Sequence, residues 1–461
     1  MSSAAAQKSR GWAERFSRLA AYGVGDFGLN IYWNTLSLFL VFFYTVVVGI
    51  PPGVAGIIYS IGMAWDALSD PVIASFAERA RTRHGTYRPF LLFGAPIVAA
   101  AFVLLFWVPP FDGAVLLAVL LVVGIIFRTS YTLVAIPYAA LSARLTFNSQ
   151  ERVELTGVRM FFAFGGLLLV SGGFPFLLKA FSGGDDYQAP AFLLTALLGG
   201  IAATAALLLC FARTEEQPLI RGTKVAELSP RAFAKAFTSN SALLILLGTV
   251  FLQSLGSASL MVSLLFFLET QEGLASEGTV LTAFAVATML GVPLWTLVIR
   301  AIGKKRCWVL AAIIMSLAGL SMLVFGTLPV MGLPVPIIVY GFAMGSFGVM
   351  LWSFVPDTVE FGQLKTGERA EAVSFGAVLI SQKMAGAAMG FLVGQVLGLV
   401  GFDARLGEQG AGTSEGILIF LAVVPGAAYL ISAIPVAFLP LNRQSHADMV
   451  SELERSGREG A

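Results

Sequence analysis

The sequence predicts an all-α membrane protein: twelve transmembrane helices in two six-helix pseudo-repeats. Three observations carry that prediction. Of the 461 residues, 57% are hydrophobic and only 12% charged, against about 25% charged in ordinary globular domains, and the mean hydropathy is +0.83. Apolar runs of about 20 residues, long enough to cross a bilayer core as a helix, recur along the whole chain. Finally, cytoplasmic-type landmarks repeat at a nearly constant offset near 220: Arg79 with Arg300, Pro137 with Pro356, Arg152 with Arg369. The runs are continuously apolar rather than alternating, which disfavours a β-barrel.

The elements follow in order. The opening "MSSAAAQKSRGWAERFSRLAAYG" is basic but lacks a short apolar core and cleavage site, so residues 1–17 read as a cytoplasmic lead-in rather than a signal peptide. Predicted spans cover 18–48, 52–80, 89–109, 113–146, 152–182 and 190–211. Span two is followed by "FAERARTRHG", and span four ends in "IPYAALSARLTFNSQER". Residues 212–240 form the longest polar stretch, the natural join between two six-helix bundles, 18–211 and 241–440. The second set of spans covers 241–270, 276–301, 306–328, 332–361, 370–402 and 414–440. Span eight is followed by "VIRAIGKKRC" and span ten ends in "VPDTVEFGQLKTGER", matching their counterparts in the first half. A polar cytoplasmic tail, 441–461, closes the chain.

Charge sets the orientation. Of the 29 Lys and Arg, Arg128, Arg159 and Lys383 fall within spans, and Lys179 and Arg405 near odd-numbered loops. All others lie at the N-terminus, the even-numbered loops, the central linker or the tail, which places both termini in the cytoplasm. The two cysteines, Cys210 and Cys307, make no disulfide framework, and no Cys/His cluster has metal-ligand spacing. Only His84 and His446 exist, both outside the spans. With no nucleophile–base constellation and no signalling domain, a membrane enzyme or a receptor is not expected, nor is a nucleic-acid partner.

The informative residues are charges inside spans, each costing about 2.5–3.5 kcal/mol near the bilayer centre. In "WDALSDP", Asp66 and Asp70 are four residues apart and share a helix face, with Ser69 beside them. Two such carboxylates repel unless a cation or proton lies between them, and the all-oxygen composition suits a hard cation. Counted from the inner helix ends, Asp66, Thr132 and Lys383 all lie about 20 Å in. A carboxylate pair, a hydroxyl and an ammonium at one depth point to an ion-coupling site; the plainer alternative is that Lys383 only neutralises the acids. Asp26 and Arg159 lie at similar depth and form a candidate structural or gating bridge. Arg128 faces either the substrate or an acid. Glu151-Arg152 and Glu368-Arg369, with Asp357 and Glu360, are candidate cytoplasmic gating charges, and Tyr32, Trp33 and Trp352 are candidate cavity aromatics.

The segments "YGVGDFGLN", "FYTVVVGI", "WDALSDP", "TRHGTYRP", "IPYAAL", "ERVELTGVR" and "EFGQLKTGER" resemble the glycoside–pentoside–hexuronide:cation symporters, the melibiose carrier group of the major facilitator superfamily. The resemblance covers nearly all twelve spans. It implies the major facilitator fold and a cytoplasmic (inner) membrane symporter that works by alternating access. Its cargo is a sugar, glycoside or sugar acid, co-transported with Na⁺ or H⁺. It carries the family's cation site onto Asp66, Asp70 and Thr132, with Ser69 where an asparagine ligand stands, and its span-eleven lysine onto Lys383. Arg159 matches the span-five arginine and Trp352 the cavity tryptophan. The two sugar-binding acids are replaced by Asn30 and Ala135, which argues against a melibiose-like galactoside. Asn30, Trp33, Arg128, Arg159 and Trp352 are the substrate-binding candidates. Three in-span acids meet three bases, so a bound monovalent cation leaves about +1, suiting a neutral or anionic cargo such as a uronide. No cofactor beyond the co-transported ion is expected; the partners are the small molecule and the lipid bilayer, with a monomer as the expected unit. A second reading in the same fold is a carrier of a non-sugar amphiphile or organic anion, since lysolipid carriers resemble this family.

Overall fold

The computed structural model describes residues 2–80, 82–145, 149–183, 187–216, 239–270, 274–325, 334–366, 371–404, 406 and 409–441. Among them the regular secondary structure is helical, apart from an isolated bridge between Thr82 and Gly85.

In chain order the helices are α1 (Ser2–Thr35), α2 (Pro52–Arg79), α3 (Arg88–Leu105), α4 (Gly113–Leu145), α5 (Ser149–Leu168), α6 (Phe174–Ser182) and α7 (Ala189–Arg213). They continue with α8 (Ser241–Glu269), α9 (Leu274–Ile302), α10 (Lys304–Phe325), α11 (Pro334–Thr366), α12 (Glu371–Leu399) and α13 (Ala411–Phe438). Ten helical spans among the described residues are long and apolar enough to cross a membrane.

Two departures from the predicted spans stand out. α1 starts at Ser2, inside the predicted lead-in, and beyond Thr35 it relaxes into wider π-helical turns at Leu36–Leu40 and Phe43–Val47. The fifth span is also interrupted: α5 passes through a π turn, Leu169–Gly173, into α6. Two glycines close that turn, and Pro175 in the next one supplies no main-chain donor, so the regular ladder is locally weakest there.

Ends are set by local chemistry. Proline stands in the first turn of α3, α6 and α7, where its missing N–H costs nothing. Asn240 caps α8, its side chain accepting from the Leu243 N–H at 3.0 Å. Gly303, at φ +85°, makes the one-residue break between α9 and α10, a backbone state costly for any residue with a Cβ.

The chain forms two compact units, residues 1–49 with 68–223, and residues 50–67 with 224–461. In the first, α1 packs on α5 and α7, and α3 on α4 and α7. In the second, α8 packs on α12 and α13, α9 on α11, and α10 on α11 and α13. The opening half of α2 belongs to the second unit because small residues let it touch α12. A Cβ on Gly56 would stand 2.5 Å from the Gly390 carbonyl oxygen, and Ser60 Oγ donates to the Ala387 carbonyl at 2.7 Å.

Candidate functional site

α2 carries the acids. Asp66 is 1% and Asp70 6% exposed, and Ser69 is half-buried. Pro71, inside the same helix, has no N–H, which frees the Ala67 carbonyl from its usual α-helical donor. The turn bearing both carboxylates therefore also offers a main-chain oxygen. From α4, Thr132 Oγ1 donates to Asp70 Oδ1 at 3.1 Å, and Thr132 is itself 1% exposed. A buried hydroxyl keeps its lone pairs while its proton engages the carboxylate, so it can serve a cation alongside that carboxylate. Arg128, one turn before Thr132, is buried, and so is Lys383 on α12.

On α1, Asp26 is buried and bridged by Arg159 of α5, with Nε 3.2 Å from Oδ2 and the terminal nitrogen 3.4 Å from Oδ1. The guanidinium also lies over two rings, 5.8 Å from Tyr22 and 5.5 Å from Tyr138. Arg159 is thus held by one carboxylate and two aromatic faces. Gly25 makes room for this arrangement, since a Cβ there would stand 2.4 Å from the Tyr138 ring. Asn30 turns its amide back to the Asp26 carbonyl at 2.9 Å. Trp33 leans towards Tyr131 of α4, centroids 6.3 Å apart, whereas Tyr32 is fully buried among Phe102, Phe127 and Tyr131.

In the second unit, Trp352 of α11 stacks on Phe375 of α12 at 6.1 Å. Asp357 pairs with Lys304 at the start of α10, 2.7 Å apart, while Lys304 also donates to the Ser353 carbonyl. Glu360 is half-buried one turn further along. Glu368 and Arg369 lie outside the described residues, as do the side chains of Glu151 and Arg152.

Several functional-looking groups carried no sequence signal. Glu216, at the start of the linker, accepts from the backbone N–H groups of Thr86, Tyr87 and Arg88 at 2.9, 2.6 and 2.8 Å. It thereby caps α3 from a distance of over a hundred residues in sequence. Lys304 and Asn240 likewise look like ordinary loop residues.

A model of the MFS/sugar transport protein family matches residues 21–443. A Bacillus subtilis protein named uncharacterized symporter YnaJ is 29% identical, with 94% of this chain and 93% of the relative covered. An Escherichia coli glucuronide carrier protein homolog is 27% identical over 95% of each chain. Among solved structures, the partially occluded, inward-open Escherichia coli xylose transporter XylE matches with a TM-score of 0.66. It is 14% identical, with 94% of this chain and 99% of that one covered, a likeness of fold.

Proposed function

The chain belongs to the MFS/sugar transport protein family, and from that premise we propose a cation-coupled symporter that imports a sugar, glycoside or sugar acid by alternating access. Transport, not catalysis, is the family's business. Its twelve spans form two six-helix halves, 18–211 and 241–440, joined by the linker 212–240. It acts as a monomer in the cytoplasmic membrane, with both termini in the cytoplasm, as the Lys/Arg distribution supports.

One observation carries the coupling half of the proposal. On α2 the buried Asp70 takes a hydrogen bond from the buried Thr132, with Asp66 one turn away. Buried carboxylates stacked at this spacing call for a positive charge, and Na⁺ or H⁺ supplies it. Asp66, Asp70, Ser69 and Thr132 are the cation ligands, and Lys383 couples their occupancy to the cargo. Linkage then makes the effect mutual: whatever factor the cation adds to cargo affinity, the cargo adds to cation affinity. Asn30, Trp33, Arg128, Arg159 and Trp352 are the cargo-facing candidates, and Asp26, Glu151, Arg152, Asp357, Glu360, Glu368 and Arg369 the gating and structural charges. The name of the glucuronide carrier homolog supports a cargo of the sugar or sugar-acid class over a non-sugar amphiphile.

The test is uptake of labelled sugars and uronides into membrane vesicles after a jump in Na⁺ or H⁺. Accumulation should follow one of the two ions and vanish in Asp70→Asn, with the variant still folded. Concentrative uptake by Asp70→Asn would overturn the coupling assignment.

A further inference from the structure

Asn34 lies one turn beyond Asn30 on α1. At 100° per residue, Asn30, Trp33, Asn34 and Ser37 fall within about a third of the helix circumference. All four are half-buried, whereas Ile31, Tyr32, Thr35 and Leu36 between them are buried. From Asn30 to Ser37 the partly open face is thus mainly polar, the reverse of what a lipid-facing strip requires.

The hydrogen bonds on that face run back along the helix itself. Asn34 Nδ2 donates to the Asn30 carbonyl at 2.8 Å and reaches Asn30 Oδ1 at 3.5 Å. Asn30 does the same to the Asp26 carbonyl, and Ser37 Oγ to the Trp33 carbonyl at 2.9 Å. Those carbonyls belong to the helical ladder already, so an amide can leave them for a ligand without orphaning a buried group. Trp33 flanks the face and meets Tyr131, the residue immediately before the Thr132 that holds Asp70. The α-helix also gives way to π-helical turns from Leu36, a feature frequent at functional sites.

We propose that Asn34 is a specificity-determining residue for the cargo. With Asn30 it reads hydroxyl groups of a sugar ring seated along α1 against Trp33 and Tyr131. The inference rests on the sugar reading above and adds a residue to it. A carboxamide both donates and accepts, as a hydroxyl does, without bringing a charge. The backbone positions of Asn30 and Asn34 lie about 6 Å apart along the helix axis, the scale of hydroxyl spacing across one pyranose. A site built to hydrogen-bond a hydroxyl discriminates strongly against the analogue lacking it.

The probes are methyl β-xyloside, methyl β-glucuronide and methyl β-galactoside, each with its monodeoxy analogues, titrated into the purified full chain at saturating Na⁺ or at low pH, whichever ion drives uptake. Asn34→Ala should weaken binding of a recognised parent glycoside by about tenfold, yet weaken one of its deoxy analogues by less than about twofold. Asn34→Gln should restore part of the parent's affinity. The melting temperature without sugar should match wild type in the coupling ion that the uptake assay assigns, which shows that the variant is folded. Equal loss across the parent and every deoxy analogue, or no loss at all, would overturn the role of Asn34. If the wild type neither binds nor accumulates any of the three parents, the sugar reading fails and takes this inference with it.

Discussion

The hydroxyl of Tyr22 donates to the carbonyl of Tyr138 at 2.8 Å, and the hydroxyl of Tyr138 donates to the carbonyl of Tyr22 at 2.8 Å. The rings stack at 4.6 Å and 16°, so α1 and α4 are clasped by a reciprocal pair. The clasp sits one residue beyond Pro137, whose missing N–H removes one bond from the helix's own ladder. Tyr22→Phe and Tyr138→Phe should each lower unfolding stability in detergent by about 0.5–1.5 kcal/mol, the worth of one hydrogen bond. Gly25→Ala should cost more, about 1–3 kcal/mol, because its methyl overlaps the Tyr138 ring. An unfolding midpoint for Gly25→Ala equal to wild type would show that the helices separate there at no cost.

The second unit has its own version of this device. Asn240 caps α8 and donates from Nδ2 to the Thr358 carbonyl at 2.8 Å, two residues past Pro356. In both units, then, a side chain from elsewhere in the unit donates to a carbonyl just beyond an internal proline of a helix. Asn240→Ala removes the cap and the cross-helix bond together, for about 2 kcal/mol. Asn240→Ser keeps a capping oxygen but cannot reach Thr358, and should lose about half as much. Equal melting temperatures for the two variants would assign the whole effect to the cross-helix bond and none to the cap.

Glu216 holds the amino end of α3 through three main-chain donors. A carboxylate suits that position because the helix dipole is positive there and charge-assisted bonds are strong. Glu216→Ala should destabilise the chain by about 1–3 kcal/mol and raise hydrogen exchange at the amides of Thr86, Tyr87 and Arg88. Glu216→Gln retains one acceptor and should fall between the two. Unchanged exchange at these amides would mean that water replaces the carboxylate without penalty.

Helix placement was legible in the sequence because bilayer thickness dictates run length, and apolar composition reports it directly. The buried acids of α2 were equally conspicuous: Asp66 and Asp70 are costly in an apolar helix, so their presence demands a reason. The interruptions of α1 and α5 were not, since an α-helix and a π turn bury the same residues and differ by one hydrogen-bond register. Nor were the Tyr22–Tyr138 clasp and the Glu216 cap, which join residues over a hundred positions apart. Tyrosines and glutamates occur too freely in such chains for one pairing to announce itself. The Asp26–Arg159 bridge was foreseeable only because buried charges must find partners and few were on offer.

The bond from Thr132 to Asp70 gives the sharpest test of the proposed ion site. Thr132→Val is nearly isosteric, so it removes the hydroxyl while leaving packing between α2 and α4 almost intact. Under the proposed ligand set one cation oxygen is lost, and Asp70 loses its hydrogen bond from Thr132. The cation concentration giving half-maximal uptake should rise by about tenfold, equivalent to about 1.4 kcal/mol, and Thr132→Ser should restore it. Cargo affinity measured in saturating cation should change little, because the loss falls on the ion alone. A Thr132→Val carrier with wild-type cation dependence would remove Thr132 from the ligand set and leave its hydroxyl a structural tie between the two helices.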